Sequence, residues 1–237
     1  MRRGGAGLMG LWARAAGRVL RLTWWFGIVI IALAPVRAAA QGIAGGAGAF
    51  NIQRRLSYQG AVYEQTGVAV GAAGAVRLGP VALRVSGLFG TLKGDGSALN
   101  PDVKVRTTAV RLEVAAQPWL ALGAVAEARR FEADAGVTTW KLLGIGVRLE
   151  PGLGLPGLRG LADVAVLPAS SVAGGAKAKT ALQGTVGVSY QPAGSPFEVR
   201  FGYRFERYDF DASGSSAVRY EQFRGVVAEA GLRLGRW

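Results

Sequence analysis

Opposite charges two residues apart recur along this chain. Arg111/Glu113, Glu127/Arg129, Arg148/Glu150, Glu198/Arg200 and Arg204/Glu206 each set a guanidinium beside a carboxylate at i, i+2, and Glu229/Arg233 repeats the theme at i+4. A carboxylate becomes a general acid or base when its surroundings retune its pKa, whereas a neighbouring arginine keeps it ionised. No pair of acids stands out as isolated from arginine. The chain has no histidine and no cysteine, which excludes imidazole bases and ligands, thiolate metal sites, cysteine nucleophiles and disulfides. Asp95, Asp102, Asp209 and Asp211 are scattered through turn-rich segments and lack the spacing of a calcium loop. The expectation is therefore no catalytic residue, no cofactor and no metal site, with the charge pairs serving to neutralise one another in a confined interior.

Positions i and i+2 share a face only on a β-strand, so the pairs call for strands to carry them. Phe197, Val199, Phe201, Tyr203 and Phe205 alternate with Glu198, Arg200, Gly202, Arg204 and Glu206. Leu143, Ile145, Val147 and Leu149 alternate with Gly144, Gly146, Arg148 and Glu150, and Leu83 and Val85 flank Arg84. Ten such segments are read, at about 54–65, 67–78, 80–92, 103–116, 119–133, 138–150, 159–167, 178–190, 197–210 and 217–236, with eight strands as the competing count. In the fourth, Val103 and Val105 share parity with Arg111 and Glu113. A bulge near Thr107-Thr108, or an extension above a membrane, would reconcile them.

Residues 1–40 differ from the rest. Arginines crowd the start with no acid among them, Trp24 to Ala34 is continuously apolar, and Ala38-Ala39-Ala40 precedes Gln41. This reads as a cleaved secretory signal, because the apolar run is shorter than the roughly 20 residues of a spanning helix. Its removal leaves 22 Lys/Arg against 15 Asp/Glu, so the net charge falls from +13 to +7. No basic run with interleaved aromatics appears, and nucleic acid is not an expected partner. Residues 41–53 are Gly/Ala-rich and are expected to be a flexible lead-in to a barrel over 54–237.

The connections fall into two kinds. Gly79-Pro80, Gln117-Pro118, Pro151 to Pro156 and Pro192 to Pro196 carry proline, whereas Lys93 to Asp102, Glu132 to Thr138, Ala169 to Lys179 and Asp209 to Ala217 are polar or Gly/Ser-rich. Two distinct rims suit an up-and-down antiparallel barrel, with short turns at one end and longer loops at the other. The polar faces are poor in lysine and rich in small residues, and their charges are paired. That pattern places Arg84, Arg111, Glu113, Glu127, Arg129, Arg148, Glu198, Arg200, Arg204, Glu206, Glu229 and Arg233 in the lumen and the apolar faces against lipid. Tyr58, Tyr63, Trp119, Trp140, Tyr190, Phe197, Tyr208, Tyr220 and Trp237 lie near strand ends, as interfacial girdles would.

On the export segment, the alternation, the two rims and the ending Leu232-Arg233-Leu234-Gly235-Arg236-Trp237, residues 41–237 resemble the small outer-membrane β-barrel proteins of Gram-negative bacteria. The resemblance is one of architecture. It implies an all-β, up-and-down antiparallel transmembrane barrel in the bacterial outer membrane, with lipid and the barrel-assembly machinery as partners and Trp237 as the assembly signal. Members usually keep apolar residues in step with the terminal aromatic; here Gly235, Arg233 and Gly231 hold those places, and Leu234, Leu232 and Ala230 are one residue out of step. The enzymes of this group use histidine, which this chain lacks. A lumen this narrow is nearly filled by side chains. The expected function is a structural or loop-mediated interaction role with a narrow or plugged lumen. The alternatives are a narrow transporter for a small anionic solute and a soluble periplasmic lipocalin-like binding barrel.

Overall fold

A computed structural model describes residues 41–58, 60–97, 99–134, 136–172, 178–210 and 219–235. The export segment 1–40, the loop residues Ala212–Ser216 and the terminal Trp237 lie outside them. Ten strands follow in chain order: β1 Gly42–Tyr58, β2 Ala61–Leu78, β3 Val81–Lys93, β4 Val103–Gln117, β5 Leu120–Ala133, β6 Gly136–Leu149, β7 Leu158–Val172, β8 Ala178–Tyr190, β9 Phe197–Phe210 and β10 Arg219–Gly235. Each pairs antiparallel with its sequence neighbours, and β1 pairs with β10, so the sheet is a closed up-and-down barrel without edges.

The reading of 41–53 as a lead-in is corrected. Gly42 to Tyr58 form one wall strand, hydrogen-bonded to β2 along its length and to β10 at both ends. Side chains of glycine and alanine are too small to print an alternation. Closing the sheet satisfies backbone groups whatever the side chains are. The expected first strand at 54–65 instead spans the β1–β2 turn, where Gly60 adopts a φ of 79°.

Two further corrections concern register. No irregularity lies at Thr107-Thr108; β4 runs in unbroken register with β3, and its shift against β5 comes at Ala115/Gln117. Strand β7, expected to stop at residue 167, continues to Val172 past Pro168. The pairing with β6 shifts between Leu143 and Ile145, opposite Pro168. Such a bulge lets a strand absorb a residue that has no N–H to donate.

The unbroken parity of β4 exposes how polarity is arranged along the barrel. Inward-facing Val103 and Val105 are buried, and outward-facing Lys104 and Arg106 are exposed. Half a strand later the sense reverses: Glu113 is buried inside, while Val110, Leu112 and Val114 are exposed outside. Strand β9 changes at the same level, with Phe197, Val199, Phe201 and Tyr203 exposed on its outer face before Arg207 and Asp209 take over. Strand β6 does so between Leu143 and Lys141. The barrel thus has an apolar outer belt around a charged interior toward the proline turns. Toward the loops it has a charged outer collar around an apolar interior.

Candidate functional site: the lumen and the collar

The apolar interior near the loops is a single cluster of Leu92, Val103, Val105, Phe131, Trp140, Leu142, Leu167, Tyr208, Phe210 and Phe223 with neighbouring small residues. Trp140 and Tyr208 have no exposed surface, so these two aromatics are corrected from interfacial girdle to lumen plug. Their rings meet edge to face at 5.0 Å, and Trp140 meets Phe131 at the same distance. Such pairs exploit the ring quadrupole. Trp119, Tyr190 and Phe197 do stand outward and exposed beside the proline turns.

Two arginines bind this cluster to the charged interior. Arg129 lies 4.8 Å from the Phe223 ring centre and 5.4 Å from that of Tyr208; Arg54 lies 4.7 Å from Phe131. Arg129 donates to Glu127 at 2.6 Å and reaches Glu206 at 2.6 Å, and the Tyr208 hydroxyl donates to Glu206 at 3.0 Å. Arg54 bonds Glu221 at 2.7 Å and the Gln65 side-chain carbonyl at 2.9 Å. Sequence reading missed Arg54 and Glu221. Arg54 sat at the boundary of the supposed lead-in, and Glu221, two residues from Arg219, was passed over among the charge pairs.

Below the plug, a second set of inward charges, from Arg84 and Glu113 round to Arg200 and Glu229, forms one connected lattice. Arg84 donates to Glu113 at 2.6 Å, and Arg148 donates to Glu150 at 2.8 Å and to Asp163 at 3.1 Å. Arg111 bonds Asp163 from three strands away and lies 3.7 Å from Glu113. Arg200 donates to Glu198 at 2.9 Å, whereas Arg204 donates to Glu206 at 2.6 Å and so joins the Arg129 group. The Glu229/Arg233 spacing leads elsewhere: Glu229 lies 4.0 Å from Arg200, while Arg233 donates to Glu198 at 3.2 Å and crosses to Glu150 at 2.7 Å. Asp163 was not among the expected charges, yet it ties β4, β6 and β7 together. Its lone carboxylate between valines and alanines has no neighbour at i±2 to flag it.

Glu150 stands just past the end of β6. Burial would raise its carboxyl pKa, but Arg148 and Arg233 hold it well below the ordinary carboxylate range. In the β3–β4 loop, hydrogen bonds from Ser97 lower Asp95, and a hydrogen bond from Lys93 lowers Asp102.

Between the lattice and the wall of β1 and β2 lies a cavity of about 240 Å³. Its walls differ in kind: Gly46, Gly48, Gly71 and Ala73 on β1 and β2 face Arg111, Arg200, Arg204 and Asp163. The volume falls short of the roughly 300–1,000 Å³ of ordinary ligand pockets. Among the described residues no group of three or more acids is placed to hold a metal ion, and no helix is long and apolar enough to cross a membrane.

No family model matches this chain, and no curated protein matches it. Several solved structures are similar to it at low identity. The translocator domain of the autotransporter NalP from Neisseria meningitidis is 14% identical, with 94% of this chain and 98% of that one covered and a TM-score of 0.43. Neisserial surface protein A is 12% identical over 82% of this chain and 97% of its own, with a TM-score of 0.39. The attachment invasion locus protein Ail of Yersinia pestis is 12% identical over 81% and 98%, with a TM-score of 0.35.

Proposed function

We propose that this chain is an outer-membrane barrel with a sealed lumen, whose loops and charged collar form its working surface. The reversal of inside and outside polarity at one level along the strands carries this reading. A soluble barrel keeps its apolar face inside throughout; a membrane barrel inverts it only where lipid surrounds it. The strands run 13 to 18 residues, whereas about 9–11 cross the hydrocarbon, so the surplus projects beyond the bilayer as the collar. The proline turns then lie on the periplasmic side. Export by a cleaved signal and assembly through Trp237 complete the proposal.

The sealed lumen favours a structural or interaction role over transport. The aromatic cluster closes the loop end, and the lumen arginines are engaged by carboxylates rather than left to guide an anion. The same pairing argues against catalysis, because carboxylates pinned by arginine are poor proton carriers. Two measurements test the reading. The folded chain should migrate faster than its boiled form on a detergent gel, and it should be silent in planar bilayers. Anion-selective conductance lost on Arg200→Ala or Arg204→Ala would overturn the sealed lumen in favour of a narrow transporter.

A further inference from the structure

We propose that the outer faces of β4, β5 and β6 bind the phosphate-bearing headgroup of an anionic membrane lipid, in the leaflet nearest the loops. The inference rests on the membrane reading above and adds a ligand to it. Arg106 and Arg130 stand directly opposite one another in the β4–β5 register. Lys104 is on the same face two residues away, opposite Glu132, and Lys141 faces Ala128, diagonal to Arg130. Four cations thus share a patch with one carboxylate. All four are exposed.

Like charges directly opposite across a strand pair are destabilising, and among the described residues the rest of the collar avoids them. Arg55 lies 3.7 Å from Glu64, Arg207 3.0 Å from Asp209, and Lys93 pairs with Asp102. On the β4–β6 face only Arg130 has such a partner, Glu132 at 2.8 Å. Lys104, Arg106 and Lys141 have no ion pair among the described residues. Just beneath them the apolar belt begins, with Val110, Leu112, Leu143 and Ile145 exposed. The patch therefore stands at headgroup depth, where long basic side chains reach along the belt to the interface. A phosphate seated between Arg106 and Arg130 turns their repulsion into a two-armed charge-assisted clamp.

The test is native mass spectrometry of the folded chain in neutral detergent, with equimolar phosphatidylglycerol and phosphatidylcholine added. The wild type is expected to retain phosphatidylglycerol preferentially. Arg106→Ala with Arg130→Ala lowers that preference about fivefold per arginine removed, whereas Arg207→Ala on the far wall leaves it unchanged. Lys104→Ala with Lys141→Ala gives the same loss without touching the opposed pair, should the first variant fold poorly. Thermal unfolding adds a sign reversal. In neutral detergent alone Arg106→Ala unfolds at the same or a higher temperature than wild type, and with phosphatidylglycerol it unfolds lower. Equal retention of the two lipids, or a preference that survives both double variants, overturns the site while leaving the barrel standing. A wild type that shows no heat-dependent gel shift overturns both.

Discussion

Arg129 on β5 and Glu206 on β9 meet at 2.6 Å across the interior of the barrel, with side chains 3% and 4% exposed. The same guanidinium nitrogen holds Glu127 at 2.6 Å. One arginine therefore neutralises two buried carboxylates and ties opposite walls together beneath the aromatic plug. Removing it leaves Glu127 without an ion pair among the described residues and Glu206 with Arg204 alone. Arg129→Ala is expected to cost about 3–5 kcal/mol, read by urea unfolding of the folded barrel in detergent. Glu206→Gln, which leaves the Glu127 pair intact, should cost about 1–3 kcal/mol. A loss under about 1 kcal/mol for Arg129→Ala would mean that water reaches this layer freely.

The seam where the sheet closes is tightest at Gly225 among its glycines. A Cβ at Gly225 on β10 would sit 1.5 Å from the Asn51 carbonyl oxygen on β1. Backbone cannot yield as a flexible side chain does, so Gly225→Ala must push the closing strands apart. The expected cost is about 1–3 kcal/mol, seen as a lower temperature for loss of the compact gel band. Gly87→Ala is the matched control, because the nearest atom to its Cβ would be 3.8 Å away. Equal midpoints for the two variants would remove the seam as a weak point.

The strands with mixed large residues were readable from their alternation, and β8 and β9 match the expected limits at both ends. What escaped was hidden by physics that alternation does not record. Strand β1 is written in glycine and alanine, whose side chains leave no face to see. Pro168 reads as a strand end, and only a bulge opposite Gly144 carries β7 through it. Trp140 and Tyr208 near strand ends match an interfacial belt in sequence. Only their neighbours' polarity, with Lys141, Arg207 and Asp209 facing outward, marks the level as one where the interior is apolar. The lattice partners Arg54, Glu221 and Asp163 come from distant strands, and pairings across a closed barrel have no fixed spacing along the chain.

The Glu150 carboxyl supplies a pH dependence with a definite sign. Its folded pKa lies below the ordinary value of 4.5, so the folded state gains from its ionisation above that pH. The gain is lost as pH falls through the folded value. The stability difference between wild type and Glu150→Gln should therefore be flat from neutral pH to about 5 and shrink below that. Comparing the two by urea unfolding at each pH cancels the titration of the other carboxylates. A difference that stays constant down to about pH 3 would detach Glu150 from Arg148 and Arg233.

Polarity reversal makes its sharpest prediction on a single strand. Ile145 and Thr139 both point outward from β6, but Ile145, 70% exposed, lies in the apolar belt, while Thr139 lies in the collar beyond Lys141. An arginine facing hydrocarbon costs about 2–4 kcal/mol at mid-depth and about 0–1 near the interface. Folded into phospholipid vesicles, Ile145→Arg should lose that larger amount in urea unfolding, and Thr139→Arg should stay within the smaller one. On a water-exposed surface both changes would fall within about 0.5 kcal/mol of wild type. The contrast between two residues six positions apart thus separates lipid from water as the solvent of the belt. Equal, small effects would return the soluble barrel to first place and leave the exposed valines, leucines and phenylalanines of the outer wall without a reason.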